Sequence, residues 1–227
     1  KRANLIQTFE ELYQKADFEN ITDSQLDQFE KLMSTINQFH GHTEEEFNKL
    51  VDKRVEEKVV IVTGAGSIAP GWGNGKAAAV LYAREGAKVF AVDINLAAAK
   101  ESKAIIDQEG GECTAFRVDV TNSEDVRWMV DKCIETYGRI DILHNNVGIT
   151  EVGGPEEITE DNWDRLMTIN TKGMFLTCKH CLPHMKKQKY GSIVNISSIA
   201  SMRFLGYPCV SYSASKGGVN QLTQTIA

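Results

Sequence analysis

The chain has 227 residues, 42% apolar and 25% charged, with a net charge of −6, a composition that suits one soluble domain with an appendage. The negative balance gives no electrostatic basis for a nucleic-acid or anionic-membrane partner, and no apolar run reaches the ~18 residues needed to span a bilayer. The opening "KRANLIQTFEELYQ" lacks the continuous apolar core of a secretory signal. Five cysteines at irregular spacing point to reduced thiols and a cytoplasmic setting. The first residue is Lys rather than Met, so we expect the natural N-terminus to lie further upstream.

Residues 1–55 read as a helical extension. Leu5, Phe9 and Leu12 share one face, and Leu26, Phe29, Met33 and Ile36 share another. "TDSQ" at 22–25 and "TEEE" at 43–46 match the capping-box pattern, with a break expected around "FHGH" at 39–42. His40 and His42 read as loop residues rather than metal ligands, because no further ligands cluster beside them. The apolar stripes must pack on the following domain or on a second chain.

Residues 56–227 change to strand–helix alternation. "KVVIVTGAG" is a β-branched apolar run ending in glycines, as expected of a buried parallel strand, and "KAAAVLYAREGA" then reads as a helix closing at Gly86. "KVFAVDIN", "CTAFRVDVT", "IDILHNNVG" and "GSIVNISS" are further buried strands, each followed by a helical stretch. Repeated βαβ units predict an α/β fold, a doubly wound parallel sheet with helices on both faces. Ligands in such sheets bind beyond the carboxyl ends of the strands, so the informative residues are those just after each strand.

After the first strand comes "TGAGSIAPGWGNGKA" at 63–77. Glycines there allow a tight turn and close approach of a pyrophosphate, and the helix start beyond it offers free amides. After the second strand comes Asp93. A carboxylate there can accept from both adenosine ribose hydroxyls and repel a 2′-phosphate, which favours NAD over NADP. The alternative is an aspartate that only steadies the strand-to-helix turn. "CKHCLPH" at 178–184 spaces Cys178, Cys181 and His184 along one helical face. A zinc site lacks a fourth ligand there, so core or interface packing is the better reading. In "VSYSASKGG" at 210–218, Tyr212 and Lys216 stand one helical turn apart among small residues.

Taken together these segments resemble the short-chain dehydrogenase/reductase family over residues 56–227. The glycine loop, "NNVG" at 145–148, Asn170 in "TINTKG", the serines of "VNISS" and "YSASK" stand in that family's order. The resemblance implies a Rossmann-type sheet and a homodimer or homotetramer. It assigns Gly64, Gly73 and Gly75 to the cofactor loop, Asp93 to the ribose, and Asp119 with Val120 to the adenine. Asn145 and Gly148 would line the cofactor cleft and steady the central strand. Asn170, Ser198, Tyr212 and Lys216 would form the catalytic tetrad, with Tyr212 and Lys216 also meeting the nicotinamide half. Ser198 is preferred to Ser197 on its distance to Tyr212, with Ser197 expected to face the other side of the strand end. The helix carrying Cys178 and Cys181 would, with the Tyr212 helix, pair across subunits.

The chemistry explains the Tyr–Lys pair. A free tyrosine titrates near 10 and is a poor base at neutral pH. Lowering that value by ~3 units needs about 4 kcal/mol, within reach of a lysine and an oxidised nicotinamide in a water-poor cleft. Tyr212 would then exchange the proton of a secondary alcohol or ketone as hydride moves, Ser198 would hold the substrate oxygen, and Asn170 would anchor a water. The rival is a nucleotide-binding scaffold or sensor of the same fold without turnover.

Two features depart from the family pattern. The glycine loop carries an insertion of about five residues, "IAPGW" at 68–72, which costs little entropy in a surface loop. Its Trp72 is expected either to cover the pyrophosphate or substrate cleft or to pack on neighbouring loops. Enoyl reductases with lengthened loops space Tyr and Lys more widely, which "YSASK" does not. The second departure is the ending, "NQLTQTIA", inside the helix that begins near Tyr212. We expect a longer parent protein, with the fifth strand an unpaired edge in this piece and the piece alone inactive.

Overall fold

Val59–Thr63 (VVIVT) forms β1, buried at every position, because β-branched residues suit a strand covered on both faces. The structure, a computed structural model, describes residues 55–227 apart from Pro70. The expected N-terminal helices, both capping boxes and the His40–His42 loop lie outside the described residues. After β1 come α1 (Asn74–Arg84), β2 (Lys88–Asp93), α2 (Leu96–Gln108), β3 (Glu112–Arg117), α3 (Ser123–Tyr137) and β4 (Ile142–Asn145). Then follow α4 (Glu160–Met167), a π-helical turn (Thr168–Lys172), α5 (Gly173–Gln188), β5 (Ser192–Asn195), a 3-10 turn (Ile199–Ser201) and α6 (Val210–Ile226).

Among the described residues all four strand pairings are parallel, in the order β3-β2-β1-β4-β5. The chain reverses direction across the sheet between β1 and β4, and a doubly wound sheet binds its ligand at that point. Alternation along each strand divides the core in two. Val59 and Ile61 join Phe90, Val92 and Leu143 against Met129 and Cys133 of α3 and Cys178 and Cys181 of α5. Val60 and Val62 join Val89 and Ala91 against Val80 of α1 and Ile106 of α2.

Local signals fix the helix starts. Asn95 accepts from Ala97 N–H, Asn122 from Glu124 and Asp125 N–H, and Thr159 from Asn162 N–H, each satisfying an otherwise unpaired first-turn donor. The fifth strand is an edge of the sheet, with Ser192 and Val194 exposed. Core packing, not an interface, claims the thiol face of α5. Cys178 and Cys181 are buried within this single chain, because the 3.6-residue period turns them toward the sheet.

Candidate active site

Nine of the expected residues, Gly64, Gly73, Gly75, Asp93, Asp119, Val120, Gly148, Tyr212 and Lys216, line one cavity of about 1140 Å³. Three of the expected residues, Asn145, Asn170 and Ser198, do not line it.

The glycine loop must be glycine for steric reasons. Gly64 sits at φ +64, and a Cβ on Gly75 would come 1.8 Å from the Gly64 carbonyl oxygen. Gly66, which the sequence reading left without a role, is as constrained, since its Cβ would meet that of Ala98 at 2.4 Å. The backbone thus lies open where a pyrophosphate would approach, at the first turn of α1.

Asp93 combines both readings offered for it. Its Oδ2 accepts from Gly66 N–H at 3.0 Å and its Oδ1 from Asn95 N–H at 2.9 Å, so it steadies the glycine loop and the entry to α2. It also faces the cavity, with lone pairs left for ribose hydroxyls. Asp119 is held by Thr121, whose N–H and hydroxyl both donate to Oδ1 at 2.9 and 2.7 Å. Val120 packs under Gly173, where a Cβ would meet it at 3.0 Å.

Asn145 steadies the sheet rather than lining the cleft. It is 1% exposed, donates to Asn195 Oδ1 at 2.8 Å and lies 2.7 Å from the Thr177 hydroxyl. Asn146, the next residue, lines the cavity instead, with its Nδ2 donating to the Gly64 carbonyl at 3.2 Å. Successive residues at a strand end point to opposite sides, and "NN" left that choice open. Asn195, which donates to Thr223 Oγ1 at 3.0 Å, also carried no signal of its own.

Asn170 is fully buried in the π-helical turn. Its Oδ1 accepts from Ile149 N–H at 2.8 Å, while its Nδ2 donates to the Ile149 carbonyl and to Ser215 Oγ, both at 2.9 Å. The side chain therefore locks the loop after β4 to α6. A Cβ on Gly148 would lie 3.1 Å from Lys216 Nζ and 3.5 Å from Asn170 Oδ1, so these three residues converge.

Tyr212 and Lys216 share one face of α6, with the ammonium 5.9 Å from the ring centroid. Lys216 is 3% exposed and donates to the Ile196 carbonyl at 2.6 Å. Burial pushes its pKa below the ordinary lysine value. Ser215, between them, accepts from Asn170 and donates to the Tyr212 carbonyl at 2.7 Å, which fixes the start of α6 against the π-helical turn.

The serines differ from expectation. β5 ends at Asn195, so strand alternation does not carry through to residues 197 and 198. Ser197 lines the cavity and donates to the Lys216 carbonyl at 3.1 Å. Ser198 caps the 3-10 turn, accepting from Ala200 N–H at 3.2 Å.

Residues 58–227 match the family model for short chain dehydrogenases. An uncharacterised oxidoreductase of Thermotoga maritima is 44% identical over 170 residues, covering 75% of this chain and 64% of its own length. This chain therefore spans less than two thirds of that relative. Among solved structures, a short-chain dehydrogenase/reductase from Burkholderia xenovorans superposes with a TM-score of 0.76 at 43% identity, over 77% of this chain and 69% of that one. An NAD+-bound xylitol dehydrogenase superposes with a TM-score of 0.72 at 34% identity, over 77% of this chain and 65% of that one. With the family model and the fold in agreement, the chain belongs from Lys58 onward to the short-chain dehydrogenase family.

Proposed function

We propose that the protein is an oxidoreductase that interconverts a secondary alcohol and its ketone with NAD(H). The observation that carries the reading is one cavity shared by a sterically obligatory glycine loop, Asp93 and the Tyr212–Lys216 pair. The donor set fits a dinucleotide. Open backbone at Gly64 and Gly75 receives the pyrophosphate, Asp93 the ribose, Asp119 and Val120 the adenine, and Lys216 the nicotinamide ribose.

A bound nicotinamide supplies or accepts the hydride. Tyr212 holds the proton at its phenolic oxygen, taking it from the alcohol or returning it to the ketone. Lys216 stabilises the deprotonated phenol by its charge, and its burial keeps that charge in a low-dielectric site. Ser198, whose oxygen accepts from Ala200 N–H, keeps its hydroxyl hydrogen to donate to the substrate oxygen. Asn170 fixes the wall against which substrate and cofactor meet, and we assign its neighbourhood the water that passes the proton on.

The carboxylate of Asp93 favours NAD over NADP, and the NAD+ bound to the similar xylitol dehydrogenase supports that choice. The five free, buried thiols suit a reducing cytoplasmic setting, and no helix among the described residues is long and apolar enough to cross a membrane. We also read the protein as a homodimer or homotetramer. The test is hydride transfer by the full-length protein with NAD and NADP across a panel of secondary alcohols and ketones, read as dihydronicotinamide absorbance. Dinucleotide binding with no transfer to any of them would favour a scaffold or sensor instead.

A further inference from the structure

The geometry points to Trp72 as a further dinucleotide-binding residue, one that covers the pyrophosphate–adenosine half of the cofactor. This rests on the dinucleotide reading above.

Its sequence position left two possibilities, covering a ligand or packing on neighbouring loops. The indole is 60% exposed and lines the cavity, so neighbouring loops do not take it up. Its flat face is therefore available to a ligand bound in the cavity.

The location of Trp72 is fixed from both sides. Gly73, the N-cap of α1, donates its N–H to Ser67 Oγ at 2.8 Å, and the Ser67 hydroxyl in turn donates to the Gly71 carbonyl at 3.1 Å. Ser67 thereby ties together the residues flanking Trp72 and holds it beside the first turn of α1. The unpaired amides of that turn are where phosphate oxygens sit. Ile94, next to the ribose acid Asp93, is also 60% exposed and lines the same cavity. The polar floor of glycine amides and Asp93 thus has apolar surface beside it, suited to a ligand with a charged middle and a flat, weakly polar adenosine end.

A tryptophan buries up to about 150–250 Å² when covered, and some of that gain is spent on ordering its side chain. Replacing it with alanine is expected to weaken ADP-ribose about tenfold, or ~1.4 kcal/mol. ADP-ribose is the right probe because it carries the pyrophosphate and adenosine without the nicotinamide.

The experiment uses the full chain. Trp128→Phe and Trp163→Phe leave Trp72 as the remaining tryptophan, and acrylamide quenching of its emission is measured with and without ADP-ribose. Affinity for ADP-ribose is measured by calorimetry in the parent, Trp72→Phe and Trp72→Ala. Protection of Trp72 from quencher, with affinity falling in the order Trp, Phe, Ala, establishes the contact. Measurable ADP-ribose binding with unchanged quenching and equal affinities overturns it and leaves the dinucleotide reading standing. A parent that binds neither ADP-ribose nor any nicotinamide dinucleotide overturns both.

Discussion

Tyr212, Ser198 and Asp93 each owe their proposed role to one atom. Replacing Tyr212 with Phe removes the phenolic oxygen and leaves the ring over Lys216. Turnover should fall at least about a hundredfold, or ~2.7 kcal/mol of barrier, with dinucleotide affinity retained. Activity within about tenfold of the parent would remove Tyr212 from the chemistry. For the serines we expect Ser198→Ala to lower kcat by more than about tenfold and Ser197→Ala by less. The reverse ranking would transfer the substrate contact to Ser197, which already faces the cavity. Asp93→Asn removes the charge and keeps an oxygen for one of the two amides it holds. The preference for NAD over NADP should then narrow about tenfold, ~1.4 kcal/mol, in paired titrations. Equal affinities in the parent would sink the assignment. Tyr212 and Lys216 were legible because helical spacing alone puts them on one face. The serines were less so, since β5 stops before them and a period of two no longer says which way each points.

Elements add constraints that no single residue shows. In the glycine loop, Gly75→Ala drives a Cβ to 1.8 Å from the Gly64 carbonyl oxygen, a backbone atom with no rotamer to yield. We expect a loss of about 3 kcal/mol or more, seen as a lower Tm, together with lost ADP-ribose binding. On α6, Gly217 has nothing within 4 Å of an added Cβ. There Gly217→Ala should stabilise by about 0.5–1 kcal/mol through helix propensity. A lower Tm at Gly217 would mean that another chain approaches this face. The sequence announced the glycine loop because glycines between a strand and a helix have few other uses. It was silent about the π-helical turn around Asn170. That turn rests on side-chain bonds to Ile149 and Ser215, and its i→i+5 bonding leaves no periodic trace.

At the scale of the whole molecule, β1, β2 and β4 were readable as buried apolar runs, whereas β3 and β5, expected to be buried as well, are sheet edges with exposed Glu112, Arg117, Ser192 and Val194. Which helix face packs where was less readable. The thiols of α5, for which an interface was one option, are part of the core beside Cys133 of α3. Their chemistry gives a measure of global stability. Burial pushes the thiols of Cys113 and Cys133 up to about 12 and that of Cys178 to about 11, and it raises Cys181 well above the ordinary range. All five cysteines are buried, so the native protein should resist alkylation at pH 8, and labelling should require opening of the core. When reclosing is faster than labelling, the rate follows the population of the open state. A ligand that binds only the folded cleft at about 100 times its Kd adds ~2.7 kcal/mol to that opening. NAD at such a concentration is therefore expected to slow alkylation of Cys133 and Cys181 about a hundredfold, measured by mass spectrometry over time. An unchanged rate for these two thiols would mean that α3 and α5 part from the sheet while the nucleotide half of the cleft stays formed.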